Sequence, residues 1–441
     1  MNTLKPSLLS RRRFLNRTSS AAAGVALIHQ LPIERSAFGG GASDTLRVAL
    51  VGCGGRGSGA ADQALNADTD LKLVAMADVQ DEKLQTGLGA LKKAHPDHVD
   101  VPRERQFLGF DGYKQAIACA DVVILATSPG FRPFHFEEAV RQGKHVFMEK
   151  PVATDAPGIR RVLATTEEAK KKNLKVGVGL QRRHQPGYSE MVKRLQDGAI
   201  GDIVAMRAYW LGNAREGLER KPDETEMQYQ IRNWYYFTWL SGDHNVEQHV
   251  HNIDVINWIK GSYPIRAQGV GGRQSRNKKI HGQIFDHHSV EYEYADGSIL
   301  SSMCRQNPGT YTNISERVVG TKGQGDLHDG RQGFTITGVN PWQFRLKQAE
   351  IGHQLEHFDW FDAIRHDKPY NEADAGAKTT LTAIMGRMAT YSGKMITWDD
   401  AMNSRLQLVP DGPLDWNTVP PIVPDPDGWY PVAMPGSTVA L

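Results

Sequence analysis

The sequence predicts an α/β protein of two domains: a parallel sheet covered by helices on both faces, then an α/β domain with an open, mostly antiparallel sheet. A chain of 441 residues exceeds one ordinary hydrophobic core. In the first half, short apolar runs alternate with amphipathic stretches, as strands and helices do in parallel sheets. In the second half, apolar and polar side chains alternate with period two, which is typical of half-buried antiparallel strands.

The composition is that of a soluble globular protein, with 40% hydrophobic and 23% charged residues. The net charge is +2, but the first 42 residues carry +5, so the remainder carries about −3. A mildly acidic body gives no reason to expect nucleic acid or an anionic membrane as a partner. Cys53, Cys119 and Cys304 are too scattered for a disulfide framework or a metal knuckle. No apolar run reaches the ~18 residues of a membrane span.

The first 42 residues have the pattern of a targeting segment. Arg11, Arg12 and Arg13 begin a stretch similar to the twin-arginine export motif, before an apolar run at 21–31 and a small-residue patch at 39–42. A charged start, a short apolar middle and small residues near a cleavage point are typical of a signal peptide. We therefore expect residues 1–42 to direct export, with a periplasmic location. The alternative is a basic N-terminus without a targeting role.

Residues 43–180 are predicted to form the parallel-sheet domain. Apolar runs predict strands at 46–51, 71–78, 122–127, 145–148 and 175–180, and amphipathic stretches predict helices at 58–66 and 133–142. Residues 181–408 form the second domain, with strands near 203–210, 290–294, 299–304 and 317–319 and helices at 245–259 and 355–365. Eight prolines after residue 409 disfavour a helix, so residues 409–441 are expected to form an extended arm.

A glycine motif follows the first predicted strand and opens the first helix. Gly52, Gly54 and Gly57 fit G-x-G-x-x-G, and Asp78 ends the next strand. The first glycine permits a tight turn, the second lets the backbone approach a pyrophosphate, and the third lets helix and strand pack closely. The motif predicts a Rossmann domain that binds a dinucleotide. Asp78 favours NAD, because its carboxylate repels the 2′-phosphate of NADP. NADP is the alternative, because the Arg56 guanidinium nearby could bind that phosphate.

A second motif ends the strand at 145–148. Glu149 and Lys150 precede a proline at the carboxyl edge of the sheet, where a nicotinamide would lie. Together with the glycine motif and the segment around Thr127, this order of motifs resembles the Gfo/Idh/MocA oxidoreductases from about residue 46 to 398. The resemblance implies NAD(P) at the domain junction, contacted by Thr127, Glu149 and Lys150, and a sugar or cyclitol substrate. It also implies assembly of copies through the open sheet.

A third motif spans residues 242–254. On a continuous helix Glu247, His251 and Asp254 would share one face, at positions i, i+4 and i+7. The resemblance assigns His251 as the base beside the reacting hydroxyl and Glu247 as an acid that contacts substrate or orients His251. Members of that family more usually carry aspartate at the position of Glu247. Histidine titrates near neutrality and can accept the proton, while Lys150 can stabilise the developing charge on oxygen.

Three further residues are candidates for substrate contacts. Arg183 and His184 follow the last strand of the first domain, and the resemblance places this junction beside the substrate; the alternative is a solvated charge cluster. Trp239 belongs to an aromatic run whose flat rings could cover a sugar or could belong to the core. No metal is expected, although His244, Glu247 and His251 lie near one face, because their spacing is not that of a zinc motif.

The sequence therefore predicts an exported NAD(P)-dependent oxidoreductase that acts on a sugar, sugar-acid or cyclitol hydroxyl. Free NAD is scarce outside the cytoplasm, so the cofactor is expected to stay tightly bound. One alternative is a glycosidase that uses transient oxidation and elimination without net redox change, since the same residues would serve it. A second is a non-catalytic sugar-binding scaffold.

Overall fold

The computed structural model describes residues 45–328, 333–345 and 351–439. The predicted signal peptide at 1–42 lies outside the described residues. The first domain is a six-stranded, wholly parallel sheet in the order β3-β2-β1-β4-β5-β6. Its elements are β1 (Leu46–Val51), α1 (Gly55–Ala67), β2 (Leu71–Asp78), α2 (Asp81–Ala94), β3 (Gln106–Leu108), α3 (Gly112–Ala118), β4 (Val122–Leu125), α4 (Arg132–Arg141), β5 (His145–Met148), α5 (Ala156–Lys171) and β6 (Val176–Val178).

The predicted parallel sheet is confirmed, and its central strands are apolar because helices cover both faces. Every residue of β4 is buried, as are the last four of β1. The boundaries shift modestly: the first helix begins at Gly55, directly after the glycine turn, and β4 ends two residues earlier than expected.

The second domain contains a nine-stranded sheet in the order β14-β13-β12-β11-β7-β10-β9-β8-β15. Among the described strands of this sheet, only β7 and β10 pair in parallel, so the prediction of a mostly antiparallel sheet is confirmed. Its elements are α6 (Pro186–Gln196), β7 (Ile203–Gly212), α7 (Glu226–Arg232), α8 (Thr238–Ser241), α9 (His244–Glu247), α10 (Val250–Lys260), β8 (Arg266–Gly272), β9 (His287–Glu293), β10 (Ile299–Gln306), β11 (Asn313–Gly320), β12 (Gly323–His328), β13 (Gly333–Gly338), β14 (Trp342–Phe344), α11 (Gly352–Arg365), α12 (Ala373–Ser392), β15 (Ile396–Thr397) and α13 (Trp398–Asn403).

The predicted helix at 245–259 is two helices. Helix α9 ends at Glu247 and α10 begins at Val250, so the expected single face of Glu247, His251 and Asp254 is wrong. The Asp254 carboxylate instead receives two hydrogen bonds from Arg183, of 2.8 and 2.7 Å. Local spacing did not reveal the break because the residues on either side keep a helical pattern.

Helix α12 is the central helix of the molecule, and the sequence pattern did not predict it. Seventeen of its 20 residues are buried, so it lacks the polar face that makes a helix recognisable from periodicity. It packs against β8 of the second domain and α5 of the first. Arg387 on this helix donates to the carbonyls of Thr154 and Gly242, one from each domain, at 2.8 and 2.9 Å. The helix therefore fixes one domain against the other.

The proline-rich segment forms an extended arm, with no helix or strand among residues 404–439. It is anchored at its start, where the Leu408 amide donates to Asp155 at 2.7 Å, and near its end, where the Gly436 amide donates to the Ser392 carbonyl at 2.7 Å. In the part of the chain that the structure describes, no helix has the length and apolar character needed to cross a membrane.

Replacing Trp360 with alanine is expected to destabilise the fold by about 3–5 kcal/mol, because the substitution leaves a cavity where α11 packs on the parallel sheet. Trp360 is fully buried, lies 5.7 Å from the Phe147 ring and donates to the Lys175 carbonyl at 3.3 Å. The control is Trp429→Ala on the arm, where the ring is 41% exposed. Urea denaturation measures the free energy of unfolding of both variants. Equal losses in the two variants would contradict this account of the core.

Candidate active site

A cavity of about 620 Å³ lies at the carboxyl edge of the parallel sheet and is lined by both domains. Open α/β sheets bind ligands at this edge, at the point between β1 and β4 where the strand order reverses. All of the residues predicted to bind the cofactor or to act in catalysis line it: Gly52, Gly54, Arg56, Gly57, Asp78, Thr127, Glu149, Lys150, Glu247 and His251. The fold thus brings these two sets of residues together in one space.

The three glycines have the geometry that their predicted tasks require. Gly52 has φ +93°, and a Cβ there would lie 2.6 Å from the Ala126 carbonyl carbon. A Cβ on Gly57 would lie 1.8 Å from the Gly52 oxygen, so only glycine allows this turn and helix to meet. A Cβ on Gly54 would meet no atom within 4 Å, because Gly54 faces the cavity. The loop therefore leaves room for a pyrophosphate at Gly54, which fits a dinucleotide.

Asp78 is held in place at the adenosine end of the cavity. Its carboxylate accepts hydrogen bonds from the amides of Cys53 at 2.7 Å and Gln80 at 2.9 Å. Burial raises the pKa of Asp78, and the two amides partly oppose that shift. The fixed carboxylate is in the position from which this residue type accepts ribose hydroxyls.

Arg56 extends toward the other end of the cavity. Its Nε lies 3.0 Å from Glu149 Oε1, and its Nη2 donates to Gln63. Glu149 follows β5, which lies beyond β4 on the side of β1 opposite to β2 and Asp78. The guanidinium is therefore engaged away from the ribose that Asp78 would bind, which favours NAD over NADP.

Arg132, which the sequence reading did not single out, orders the strand ends around the nicotinamide position. Its guanidinium is buried and donates to the carbonyls of Thr127 and Pro151, which follow β4 and β5. Burial lowers the pKa of Arg132 to about 10, so it stays cationic at neutral pH. The signal available in the sequence was its position three residues after a strand-end proline, Pro129.

Lys150 and Glu247 form an ion pair at the domain junction. The Lys150 Nζ donates to the Glu247 carbonyl at 2.5 Å and to its Oε1 at 3.1 Å. The two side chains are only 12% and 10% exposed. Glu247 Oε2 is buried and has no hydrogen-bond partner among the described residues. Glu247 thus holds Lys150, whereas the sequence had suggested that it contacts substrate or orients His251.

His251 lines the cavity beside this pair. Its ring stacks on Trp210 of β7, with centroids 6.1 Å apart, and Nδ1 is buried without a hydrogen-bond partner in the described ranges. Burial, with the positive charges of Lys150 and Arg182, lowers the pKa of His251 well below its ordinary value. The imidazole is therefore neutral at neutral pH.

The three residues expected to contact substrate lie outside the cavity, which corrects that expectation. Arg183 is committed to its ion pair with Asp254, and His184 lies between Asp359 at 2.8 Å and Glu372 at 3.0 Å. Trp239 is buried and donates to Gln230 at 2.7 Å. Arg183 and His184 are paired with acidic residues distant in the chain, and Trp239 is part of the hydrophobic core.

The cavity is also walled by an insertion between β7 and α8. Arg215, Leu218, Ile231, Arg232 and Trp234 all line the cavity. The aromatic run therefore contributes Trp234 rather than Trp239. The sequence signal was the polar insertion itself, which interrupts the pattern of the second domain.

The C-terminal arm backs this insertion. Thr225 Oγ1 donates to the Trp416 carbonyl at 2.8 Å, and Gln230 Nε2 donates to the Ile422 carbonyl at 2.6 Å. The Trp416 ring also contacts Phe110 of the first domain, with centroids 5.0 Å apart. The arm thus ties the insertion to the dinucleotide-binding domain.

One buried cluster has the residue types of a metal site. Asp243, His244 and His288 bring their side chains within 4.8 Å of one another. The Asp243 carboxylate already accepts hydrogen bonds from His244, from the Phe285 amide at 3.1 Å and from Tyr391 at 2.5 Å, and His288 Nε2 lies 3.3 Å away. The carboxylate is saturated by donors, so we interpret the cluster as a hydrogen-bonded network.

A dinucleotide-binding parallel-sheet domain joined to an open-sheet domain, with a lysine and a histidine at the junction, defines a two-domain NAD-binding oxidoreductase. Comparison with known protein families gives the same class of protein. Residues 46–179 match the oxidoreductase family with an NAD-binding Rossmann fold, and residues 188–325 match the GFO/IDH/MocA C-terminal domain. The chain belongs to the Gfo/Idh/MocA oxidoreductase family.

Its curated relatives include inositol dehydrogenases. Inositol 2-dehydrogenase 3 of Saccharopolyspora erythraea is 27% identical over 368 residues, which cover 80% of this chain and 95% of the relative. Inositol 2-dehydrogenase of Acidiphilium cryptum is 26% identical, with 65% and 74% covered.

Solved structures share the fold. Scyllo-inositol dehydrogenase from Lactobacillus casei with bound NAD(H) and scyllo-inositol has a TM-score of 0.61 at 21% identity, covering 81% of this chain and all of that one. Aldose-aldose oxidoreductase from Caulobacter crescentus has a TM-score of 0.62 at 18% identity, with 80% and 99% covered.

Two glycine variants are expected to separate cofactor binding from folding. Gly54→Val should leave the thermal midpoint near that of the wild type and abolish NAD binding, because its side chain fills the space left for the pyrophosphate. Gly57→Val should lower the midpoint sharply, because its Cβ collides with the Gly52 backbone. Calorimetry and NADH fluorescence titration measure the two effects. A Gly54→Val protein that binds NAD like the wild type would contradict the assignment of the loop.

Proposed function

We propose that this protein is an exported oxidoreductase that oxidises a hydroxyl of a sugar, sugar acid or cyclitol and retains NAD between turnovers. The observation that carries the proposal is the meeting of the Lys150–Glu247 pair and the His251 ring in the cavity that the glycine loop enters. The twin-arginine pattern of the leader supports export, and the inositol and aldose relatives support the substrate class.

The residues divide the chemistry between them. The bound nicotinamide supplies the acceptor for the hydride. His251, which lines the cavity and is neutral because burial lowers its pKa, accepts the proton of the reacting hydroxyl. The Lys150 ammonium stabilises the negative charge that develops on the same oxygen. Glu247 holds that ammonium at the junction through two hydrogen bonds.

The wall that the insertion adds to the cavity suits a polyhydroxylated ring. Trp234 offers a flat apolar face, and Arg215 offers hydrogen-bond donors in the same cavity. The guanidinium of Arg215 lies over the Tyr235 ring, with its central carbon 5.0 Å from the ring centroid. Aromatic faces cover the C–H surfaces of sugars, while planar donors bind their hydroxyls or a carboxylate.

We also propose that copies of the chain associate through the outer face of the nine-stranded sheet. Val270, Ser289 and Met303 lie side by side in register across β8, β9 and β10, and the two apolar members are exposed. Exposed apolar rows on a sheet face are typical of interfaces.

Removing the catalytic groups is expected to lower turnover without removing NAD. His251→Ala should lower kcat by about 10²–10⁴-fold, the usual effect of losing a general base. Lys150→Met should lower kcat as well, and Glu247→Gln should act more mildly because an amide still accepts from Lys150. His366→Ala, whose ring is exposed, is the matched control. A panel of sugars, cyclitols and glycosides is assayed for NADH absorbance and for released aglycone.

Three outcomes of this assay are informative. Net NADH without aglycone supports the oxidoreductase, whereas aglycone without net NADH would replace it by a redox-neutral glycosidase. Turnover within about threefold of wild type in both His251→Ala and Lys150→Met would contradict the assigned roles.

Retention of NAD is expected to depend on the arm, because the arm holds the insertion against the cavity. Deleting residues 409–441, or replacing Trp416 with alanine, should speed NADH dissociation, measured by stopped-flow fluorescence. Val419→Ala, an exposed position on the same arm, should leave the rate unchanged. Unchanged dissociation in both the deletion and Trp416→Ala would show that the arm does not retain the cofactor.

A further inference from the structure

Arg215 is a cation in the cavity wall that has no acidic partner in the part of the chain that the structure describes. It lies three residues after β7, at the start of the insertion, and lines the cavity. The other two arginines of the insertion are paired within it. Arg220 Nη2 lies 2.5 Å from Glu226, and Arg232 Nε lies 2.7 Å from Glu224. The insertion thus neutralises two of its arginines and leaves the third one to the cavity.

Arg215 also differs from the other basic side chains of the cavity. Among the described residues, six basic side chains line it, and four of them already contact acidic groups or backbone carbonyls: Arg56, Arg132, Lys150 and Arg232. Lys83 lies on α2, which follows β2 and Asp78 at the adenosine end of the cavity. Arg215 is the remaining cation, and its N–H donors are available to a ligand.

The reacting groups lie at one level of the nine-stranded sheet. Helices α9 and α10, which carry Glu247 and His251, lie against β10 and β7. The Cys304 thiol of β10 donates to Asn245 Oδ1 of α9 at 3.3 Å. Trp210 of β7 is the register partner of Cys304, and its ring stacks on His251. The level of Cys304 and Trp210 is therefore the level of the reaction.

Arg215 is linked to the next level of the same sheet. Gln306 follows Cys304 by two residues on β10, a step of about 7 Å that keeps the side chain on the same face. Gln306 Nε2 donates to the Tyr235 hydroxyl at 2.8 Å. The guanidinium carbon of Arg215 lies 5.0 Å from the centroid of the Tyr235 ring. A ligand whose hydroxyl lies at His251 can therefore extend along the cavity wall to Arg215.

The contact with Tyr235 leaves Arg215 able to bind an anion. The attraction between a guanidinium and an aromatic ring uses the face of the ring, so it occupies none of the N–H donors as a hydrogen bond would. These donors form a planar fork that fits the two oxygens of a carboxylate through parallel hydrogen bonds. A single hydroxyl cannot make that pair of bonds. The chemistry of the group thus favours a carboxylate over a neutral sugar.

We propose that the substrate is a polyhydroxy acid, of the uronate or aldonate class, whose carboxylate is bound by Arg215 while its reacting hydroxyl lies at Lys150 and His251. The inference rests on the proposed function, in which the hydroxyl becomes a carbonyl as hydride passes to NAD and the proton to His251. Trp234 adjoins the anion-binding group, with its ring 5.8 Å from that of Tyr235, and offers an apolar face to the carbon skeleton.

The test compares acids with their primary amides, which differ in charge but little in shape. Glucuronate, galacturonate and gluconate, each beside its amide, are assayed for NADH formation by the NAD-loaded enzyme. We expect kcat/KM of the wild type to be about 10- to 100-fold higher for at least one acid than for its amide, the usual effect of hydrogen bonds between charged groups.

Three variants assign that preference to one side chain. Arg215→Gln should remove the preference, mainly by raising KM for the acid. Arg215→Lys should keep part of it, because lysine retains the charge but not the fork. Lys221→Gln is the matched control and should keep all of it. This change removes one positive charge from the same insertion, at an exposed side chain that is not among those lining the cavity.

A second measurement does not depend on turnover. Binding of the same acids and amides to the NADH-loaded enzyme is followed by the fluorescence of the bound NADH. The wild type should bind the acid more tightly than the amide, and added salt should narrow the difference, because Arg215 is exposed and its ion pair is screened. If Arg215→Gln does not fold, Arg215→Lys and this salt dependence provide the test.

The outcomes separate this inference from the proposed function. A wild type that forms no NADH from any acid, amide, sugar or cyclitol overturns the proposed function, and the inference with it. A wild type that oxidises neutral sugars or cyclitols but prefers no acid to its amide overturns the inference alone. An Arg215→Gln variant that keeps the preference, or that loses activity equally on acid and amide, also overturns it.

Discussion

The site depends on the ion pair between Lys150 and Glu247, which joins the two domains at the cavity. Lys150 follows the end of β5, and Glu247 ends a short helix 97 residues later. A largely buried charge without its partner is costly, so the pair requires that the domains meet in one arrangement. That arrangement also brings His251 into the cavity that the glycine loop enters.

Helix α12 provides the rigidity that the pair requires. It is buried on nearly every side, and its Arg387 binds a carbonyl from each domain. A helix shared by two cores resists hinge motion, because bending it would open both. The reacting groups are therefore held by the fold, as catalysis that relies on positioning demands.

The wall around the cavity has a chemical consequence. The insertion lines the cavity, and the arm ties the insertion to the first domain. A wall that displaces water from part of the cavity strengthens the electrostatic effect that we propose for Lys150. The same wall slows the release of a bound cofactor, in keeping with the proposal that NAD is retained between turnovers.

The sequence by itself determined the parallel sheet, the glycine turn and the positions of Asp78 at a strand end and of Lys150 just after one, because each follows from short-range sterics or strand periodicity. Only the tertiary structure decided the partners of polar groups distant in the chain. In the folded chain Arg183 pairs with Asp254, His184 lies between Asp359 and Glu372, and Glu247 pairs with Lys150. Helix α12, which has no polar face, also became evident only in the structure. Local patterns fix backbone conformation, whereas these pairings depend on which surfaces the packed domains bring together.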